Sequence, residues 1–153
     1  MTDDDLMALC AWSEAANQPY EGKVAVLRVV RYRMALHYQS DGTVIGTVEH
    51  PAAFSGFSYD MVDGVYTKVA FTAAQIAARA ENMRIRAMTQ SIWDDCQRAV
   101  IDSEPDSGFV GGPEFQKLTP ETVLYCNRHI SSPPWATDDK LVAVIFDHTF
   151  YRA

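Results

Sequence analysis

Glu14 follows Leu6, Met7, Leu9 and Cys10 at a spacing that decides its environment. It lies four residues beyond Cys10 and eight beyond Leu6, so on a helix its carboxyl emerges inside the apolar arc and not on the wet face. Desolvation there disfavours the charged form and raises the pKa, and the partial negative charge at a helix carboxyl end pushes the same way. A carboxyl that keeps its proton near neutral pH is what cleavage of a glycosidic bond needs, because the leaving oxygen must be protonated as the bond breaks. The plain alternative is a solvated glutamate at a fraying helix end.

Other residues offer contacts to a sugar. Tyr125 and Asn127 alternate with Leu124 and Cys126 on a short strand, so a phenol and an amide share one face; equally, a tyrosine can cover the core and an asparagine end a strand. Phe54-Ser55 sets a hydroxyl beside an aromatic that can anchor a turn. Pro133-Pro134-Trp135 holds an indole on a stiff, extended segment where it can stack on a ring. His148, ending an apolar strand, can orient a hydroxyl or sit buried against backbone. Most glycosidases use two carboxylates; Asp60, Asp63, Asp94, Asp95, Asp138 and Asp139 are available, and no context singles one out. A zinc amidase would draw on His37, His50, Cys126, His129 and His148, but no tight ligand spacing such as H-E-x-x-H occurs. No metal and no cofactor is expected. A thiol peptidase built on Cys126 and His148 is weaker, because Cys126 lies within a strand and not at a helix amino terminus.

These groups need elements to position them. Thr2, with Asp5 three residues on, caps a helix starting near Asp3. Asn17-Gln18-Pro19 breaks it, and Pro19 can open a second helix reaching about Tyr38, with Val24, Val26, Leu27, Val30 and Met34 inward and Lys23, Arg31 and Arg33 at the surface. Residues 39–65 read as loops and short turns, 67–90 as one or two helices, and Ile92 to Asp102 as a helix burying Ile92, Trp93, Cys96, Ala99 and Val100. A loop from 103 to 120 leads to two strands, Thr122 to Asn127 and Leu141 to His148. The expectation is a mostly helical α+β domain with a small antiparallel sheet towards its carboxyl end.

At 153 residues and 48% hydrophobic content, one domain is the default. With 13 basic against 20 acidic side chains and no cationic stripe, no nucleic acid is expected as a partner, and binding to any anionic surface would rest on shape, stacking and hydrogen bonds. Cys10, Cys96 and Cys126 form no C-x-x-C pair, which fits a reduced, cytoplasmic origin. Met1-Thr2-Asp3-Asp4-Asp5 lacks the positive charge of a secretory signal, and no apolar run is long enough for membrane insertion. A monomer is the default.

Taken in order, Trp12-Ser13-Glu14-Ala15 running into Pro19 to Val26, then Ala53-Phe54-Ser55, then Leu124 to Asn127 through Pro134-Trp135 to His148 to Tyr151, resembles the cell-wall hydrolase family of the spore cortex-lytic type. The resemblance spans nearly the whole chain, with an interruption between Phe57 and Ile92. It implies a lysozyme-like domain that cuts peptidoglycan glycan strands between N-acetylmuramic acid and N-acetylglucosamine. It further implies lytic transglycosylation: Glu14 alone serves as acid and then base, and the muramic acid 6-hydroxyl closes an anhydro ring. Phe54, Ser55, Tyr125, Asn127, Trp135 and His148 would line the cleft. The chain departs from the pattern where many members read Glu-Ala-Arg-Gly-Glu and it reads Glu14-Ala15-Ala16-Asn17-Gln18; where Asn-Arg is common it has Tyr32-Arg33; and Cys126 replaces His or Phe. The helical segment at about 67–90 lacks a counterpart in short members and reads as an insertion. A wall-directed enzyme made without a signal suggests a phage-type endolysin that acts after release. The alternatives are a hydrolytic muramidase, a zinc-dependent amidase and a non-catalytic wall-binding module.

Overall fold

The computed structural model describes residues 1–51 and 53–153. Helix α1 (Asp3–Ala15) begins in the expected capping box: the Asp5 N–H donates to Thr2 Oγ1 at 3.1 Å and the Thr2 N–H to Asp5 Oδ2 at 3.2 Å. Leu6 to Ala11 are all buried, so α1 is apolar around its whole circumference there and not on an arc alone. Such a helix belongs at the centre of a core. Three later helices and α2 (Tyr20–Leu36) pack around it.

Pro19 is the N-cap of α2, with extended backbone, and not its first helical residue. Lys23 and Arg33 are 2% and 3% exposed, against the expectation of a solvated face. Helix α2 is enclosed by α1, α5 (Ile92–Asp102) and β3 (Thr122–Asn127), so its cations end on backbone carbonyls in place of water. Lys23 Nζ donates to the Gln18 carbonyl, and Arg33 Nε to the Val123 carbonyl at 2.7 Å. Arg31, half-buried, pairs with Glu104 at 2.9 Å and donates to the Val100 carbonyl at 2.8 Å.

Residues 39–65 hold more structure than loops. Helix α3 (Val44–Val48) is capped by Thr43, a 3-10 turn spans Ser55–Phe57, and strands β1 (Tyr59–Val62) and β2 (Val65–Lys68) form an antiparallel hairpin. Asp63 and Gly64, both at positive φ (49° and 77°), make its two-residue turn. The Asp-Gly pair is the legible signal for this hairpin. Between 67 and 90 there is one helix, α4 (Ala73–Ala87), after the end of β2; it opens on a Thr72–Gln75 capping box. Helix α5 (Ile92–Asp102) has the expected bounds.

The carboxyl-terminal sheet has three strands, not two. Strand β3 (Thr122–Asn127) runs as expected, but the second expected strand divides into β4 (Leu141–Ile145) and β5 (His148–Arg152). The reversal falls at Phe146-Asp147, with Phe146 at φ 52°, a conformation more usual for Gly or Asn. The order is β3-β5-β4, all antiparallel, which makes β5 central and sets His148 opposite Asn127 and Phe150 opposite Tyr125. One sheet face joins the main core through Phe150; the other carries Leu124, Cys126 and Tyr151 against Tyr32.

Candidate active site

Glu14, in the last turn of α1, opens into a cavity of about 590 Å³ bounded by the 53–55 segment, the β1–β2 hairpin, β3, the start of β5 and residues 130–135. Ser55 Oγ donates to Glu14 Oε1 at 3.1 Å and the Gly56 N–H donates to the same oxygen at 3.4 Å. Tyr125 Oη donates to Oε2 at 3.2 Å. Burial pushes the carboxyl pKa up, while the donors from Ser55, Gly56 and Tyr125 favour the anion and pull it back; the net shift is upward. A carboxyl so held keeps a proton to higher pH than a free glutamate, yet finds its anion stabilised once that proton has gone. Both states are needed of one group that gives and then takes a proton.

Gly56 admits no side chain. A Cβ there would lie 2.1 Å from Ser13 Oγ, so glycine lets the 55–57 turn approach α1 closely enough for its N–H to reach Glu14. Tyr125 sits in an aromatic nest: Phe54 at 6.4 Å, His148 at 5.1 Å and Phe150 at 5.7 Å between ring centroids. Burial, reinforced by the Glu14 charge, holds its pKa well above the usual phenol value, so it stays a donor.

The structure brings Ser55, Tyr125, Asn127, Trp135 and His148 to the same cavity as Glu14. Asn127 spends its Oδ1 on the His129 N–H at 3.0 Å, leaving the amide NH₂ to offer a ligand carbonyl. Trp135 packs edge-on against Tyr151 with its other side on the cavity. His148 is 6% exposed; burial lowers its pKa and keeps it a neutral imidazole, with Asp147 opposing weakly. Phe54 does not reach the cavity. It is 1% exposed and lies under Tyr125, with the Arg33 guanidinium 5.1 Å from its ring centre, so its place is behind the site and not against a ligand.

Sequence reasoning missed Tyr59, Tyr66, Gln18 and Arg33, which also line the cavity. Gln18 forms a reciprocal pair with Asp147, donating from Nε2 to Oδ2 at 2.9 Å and accepting the Asp147 N–H at 3.3 Å, and so ties the α1–α2 turn to the β4–β5 turn beside His148. None of the six aspartates considered as a second carboxylate lines the cavity; Asp60 is paired with Arg79 at 3.0 Å and Asp95 with Arg98 at 2.7 Å. Among the described residues Glu14 is the only carboxylate in the lining. No three His, Cys, Asp or Glu side chains among the described residues converge as a metal site.

No family model and no curated protein matches the sequence. Among solved structures, the fold is similar to that of the catalytic domain of the germination-specific lytic transglycosylase SleB from Bacillus anthracis. The TM-score is 0.62 at 21% identity, over 98% of this chain and 93% of that one. The chain therefore has this α+β, lysozyme-like fold along nearly its whole length.

Proposed function

We propose that this protein cleaves the glycan strands of peptidoglycan as a lytic transglycosylase, with Glu14 as its acid and base. The observation that carries the reading is the isolation of Glu14: a half-buried carboxyl with three donors on it and, among the described residues, no second carboxylate in its cavity. Hydrolysis with inversion needs a base about 6.5–9.5 Å from the acid, and retention a nucleophile about 5–5.5 Å away. Neither role has a candidate in the lining. An acceptor within the substrate removes the need for one.

Protonated Glu14 gives its proton to the glycosidic oxygen as the bond to the muramic acid C1 breaks, and positive charge develops on that ring. The resulting carboxylate, steadied by Ser55, Gly56 and Tyr125, takes the proton of the same sugar's 6-hydroxyl as that oxygen bonds to C1. The product is a 1,6-anhydro ring, and Glu14 is again protonated, so protons and bonds balance without water. Asn127 would donate to an acetamido carbonyl, Trp135 would stack on a ring, and His148, neutral, would hold Tyr125 in place edge-on. The name of the similar solved structure, a lytic transglycosylase, supports the same chemistry. Three unpaired, buried cysteines support synthesis in a reducing compartment, and with it a lysin of phage type that meets the wall after release.

Mass spectrometry of fragments from purified peptidoglycan tests this. Anhydromuramic ends, lighter by one water than reducing ends and absent with Glu14→Gln, are the expected result. Reducing muramic acid ends would make the protein a muramidase, chelator-sensitive release of free peptides an amidase, and binding without fragments a wall-binding module.

A further inference from the structure

The β1–β2 hairpin carries an aromatic pair that the mechanism above does not use. Its register pairs Tyr59 with Lys68 and Met61 with Tyr66, so Tyr59 and Tyr66 are diagonal neighbours on one face, and Asp60 lies on the other. The two rings stack at 5.0 Å between centroids, 15° from parallel, and both line the cavity that holds Glu14. Tyr66 is 59% exposed although its partner is aromatic, and neither phenol hydrogen-bonds to any described residue.

A two-stranded hairpin of this length is marginal alone, and this one is held from behind. Arg79, on α4, donates to Asp60 Oδ2 at 3.0 Å, to the Tyr59 carbonyl at 2.9 Å and to the Gly56 carbonyl at 3.4 Å, with its guanidinium 4.6 Å from the centre of the Phe71 ring. One side chain thus fixes both the strand that bears Tyr59 and the turn whose N–H reaches Glu14. Tyr59 is thereby held relative to the acid and Tyr66 stacks on it, which lowers the entropic cost to a ligand that lies on the pair.

From this geometry we infer that Tyr59 and Tyr66 form a stacking subsite for a pyranose ring of the glycan strand whose scissile bond lies at Glu14. The inference rests on the proposed function for its substrate and extends it to a ring remote from the cut bond. An outer π face of this stack suits the C–H face of a pyranose, and the phenols can meet its equatorial hydroxyls. The net acidity of the chain gives it no general attraction for an anionic wall, so binding must come from such contacts.

The test compares Tyr66→Ala and Tyr66→Trp with the parent on glycan strands stripped of their peptides, and titrates a tetramer of N-acetylglucosamine into the same hairpin variants made inactive by Glu14→Gln, following tetramer binding by calorimetry. Tyr66 is exposed enough for both variants to fold, which circular dichroism checks. Tyr66→Ala should raise KM on stripped strands and weaken tetramer binding about threefold to tenfold, with a smaller change in kcat, and Tyr66→Trp should restore both. Unchanged KM and unchanged tetramer affinity in Tyr66→Ala would overturn the inference. So would a defect seen only on strands that keep their peptides, which would assign the hairpin to the stem peptide. If the parent releases no glycan fragments the proposed function fails, and the tetramer titration still decides whether the hairpin binds a sugar.

Discussion

Replacing Tyr125 by Phe removes one donor from Glu14 and leaves the aromatic nest filled, because Phe54, His148 and Phe150 touch the ring and not the hydroxyl. A hydrogen bond to a charged group contributes about 1.5–3 kcal/mol. The 3.2 Å separation is longer than the usual length for a hydroxyl on a carboxylate, which places this one near the low end. Loss of about 1.4 kcal/mol of preference for the anion raises a carboxyl pKa by about one unit. Burial already holds the Glu14 pKa above its ordinary value, so the variant moves it further the same way. In the proposed mechanism the reaction starts from protonated Glu14, and the alkaline limb of kcat/KM against pH follows the loss of that proton. Tyr125→Phe should therefore shift this limb upward by about one pH unit and slow the step in which Glu14 gives its proton to the glycosidic oxygen. Anhydromuramic ends counted across a pH series measure the shift. A limb that stays in place while the enzyme remains active, or that moves down, would refute the assignment of Tyr125 as a donor to the anion.

Glu14→Gln should abolish release of fragments and change how stability depends on pH. A carboxyl whose folded pKa is raised contributes stability below its unfolded value of 4.5, and that contribution is lost as pH rises through the folded pKa; glutamine has no such loss, so the Tm of the variant relative to the parent should climb between about pH 4 and neutrality. A constant difference in Tm would refute the desolvation argument. Gly56→Ala, whose new Cβ would meet Ser13 Oγ at 2.1 Å, should push the turn off α1, lower kcat and cost about 1–3 kcal/mol in urea unfolding. Arg33→Met should cost about 1–3 kcal/mol because the buried Val123 carbonyl loses its donor, where a residue on a wet face would cost less than about 0.5 kcal/mol. Cys126→Ala should retain cleavage, since the thiol lies on the face of β3 away from Tyr125 and burial holds its pKa up; loss of activity would revive the peptidase reading.

Much of the frame was legible because local rules and burial agree along it. Thr2 and Asp5 announce α1, the 3.6 period announces α5, and the Tyr-x-Asn alternation announces β3. Where the reading failed, tertiary context outweighed a local pattern. Leu141 to Phe146 runs on without Gly, Asn or Pro, Asp147 is the one turn former before His148, and a Phe held at positive φ folds the run into a hairpin. Lys23 and Arg33 are basic side chains at positions that periodicity assigns to water, but the helix bearing them is enclosed, and carbonyls at Gln18 and Val123 stand in for solvent.

The acid itself was legible for a related reason: a charge on an apolar stripe is a local contradiction, and contradictions of that kind gather where function demands them. Its partners were less so, because Ser55 and Tyr125 lie 41 and 111 residues away and meet Glu14 only once the fold is complete. The tyrosine hairpin was missed for a third reason. Four-residue strands in which no residue is buried carry too short an alternation to outvote the loop-forming residues around them, although Asp63-Gly64 marks the turn. It follows that the part of the site least visible in the sequence is also the part whose stability depends on one distant side chain. Arg79 braces the hairpin and the Glu14 turn together, so loosening that guanidinium should disturb ligand stacking and proton transfer at once, whereas loosening Tyr66 should disturb stacking alone.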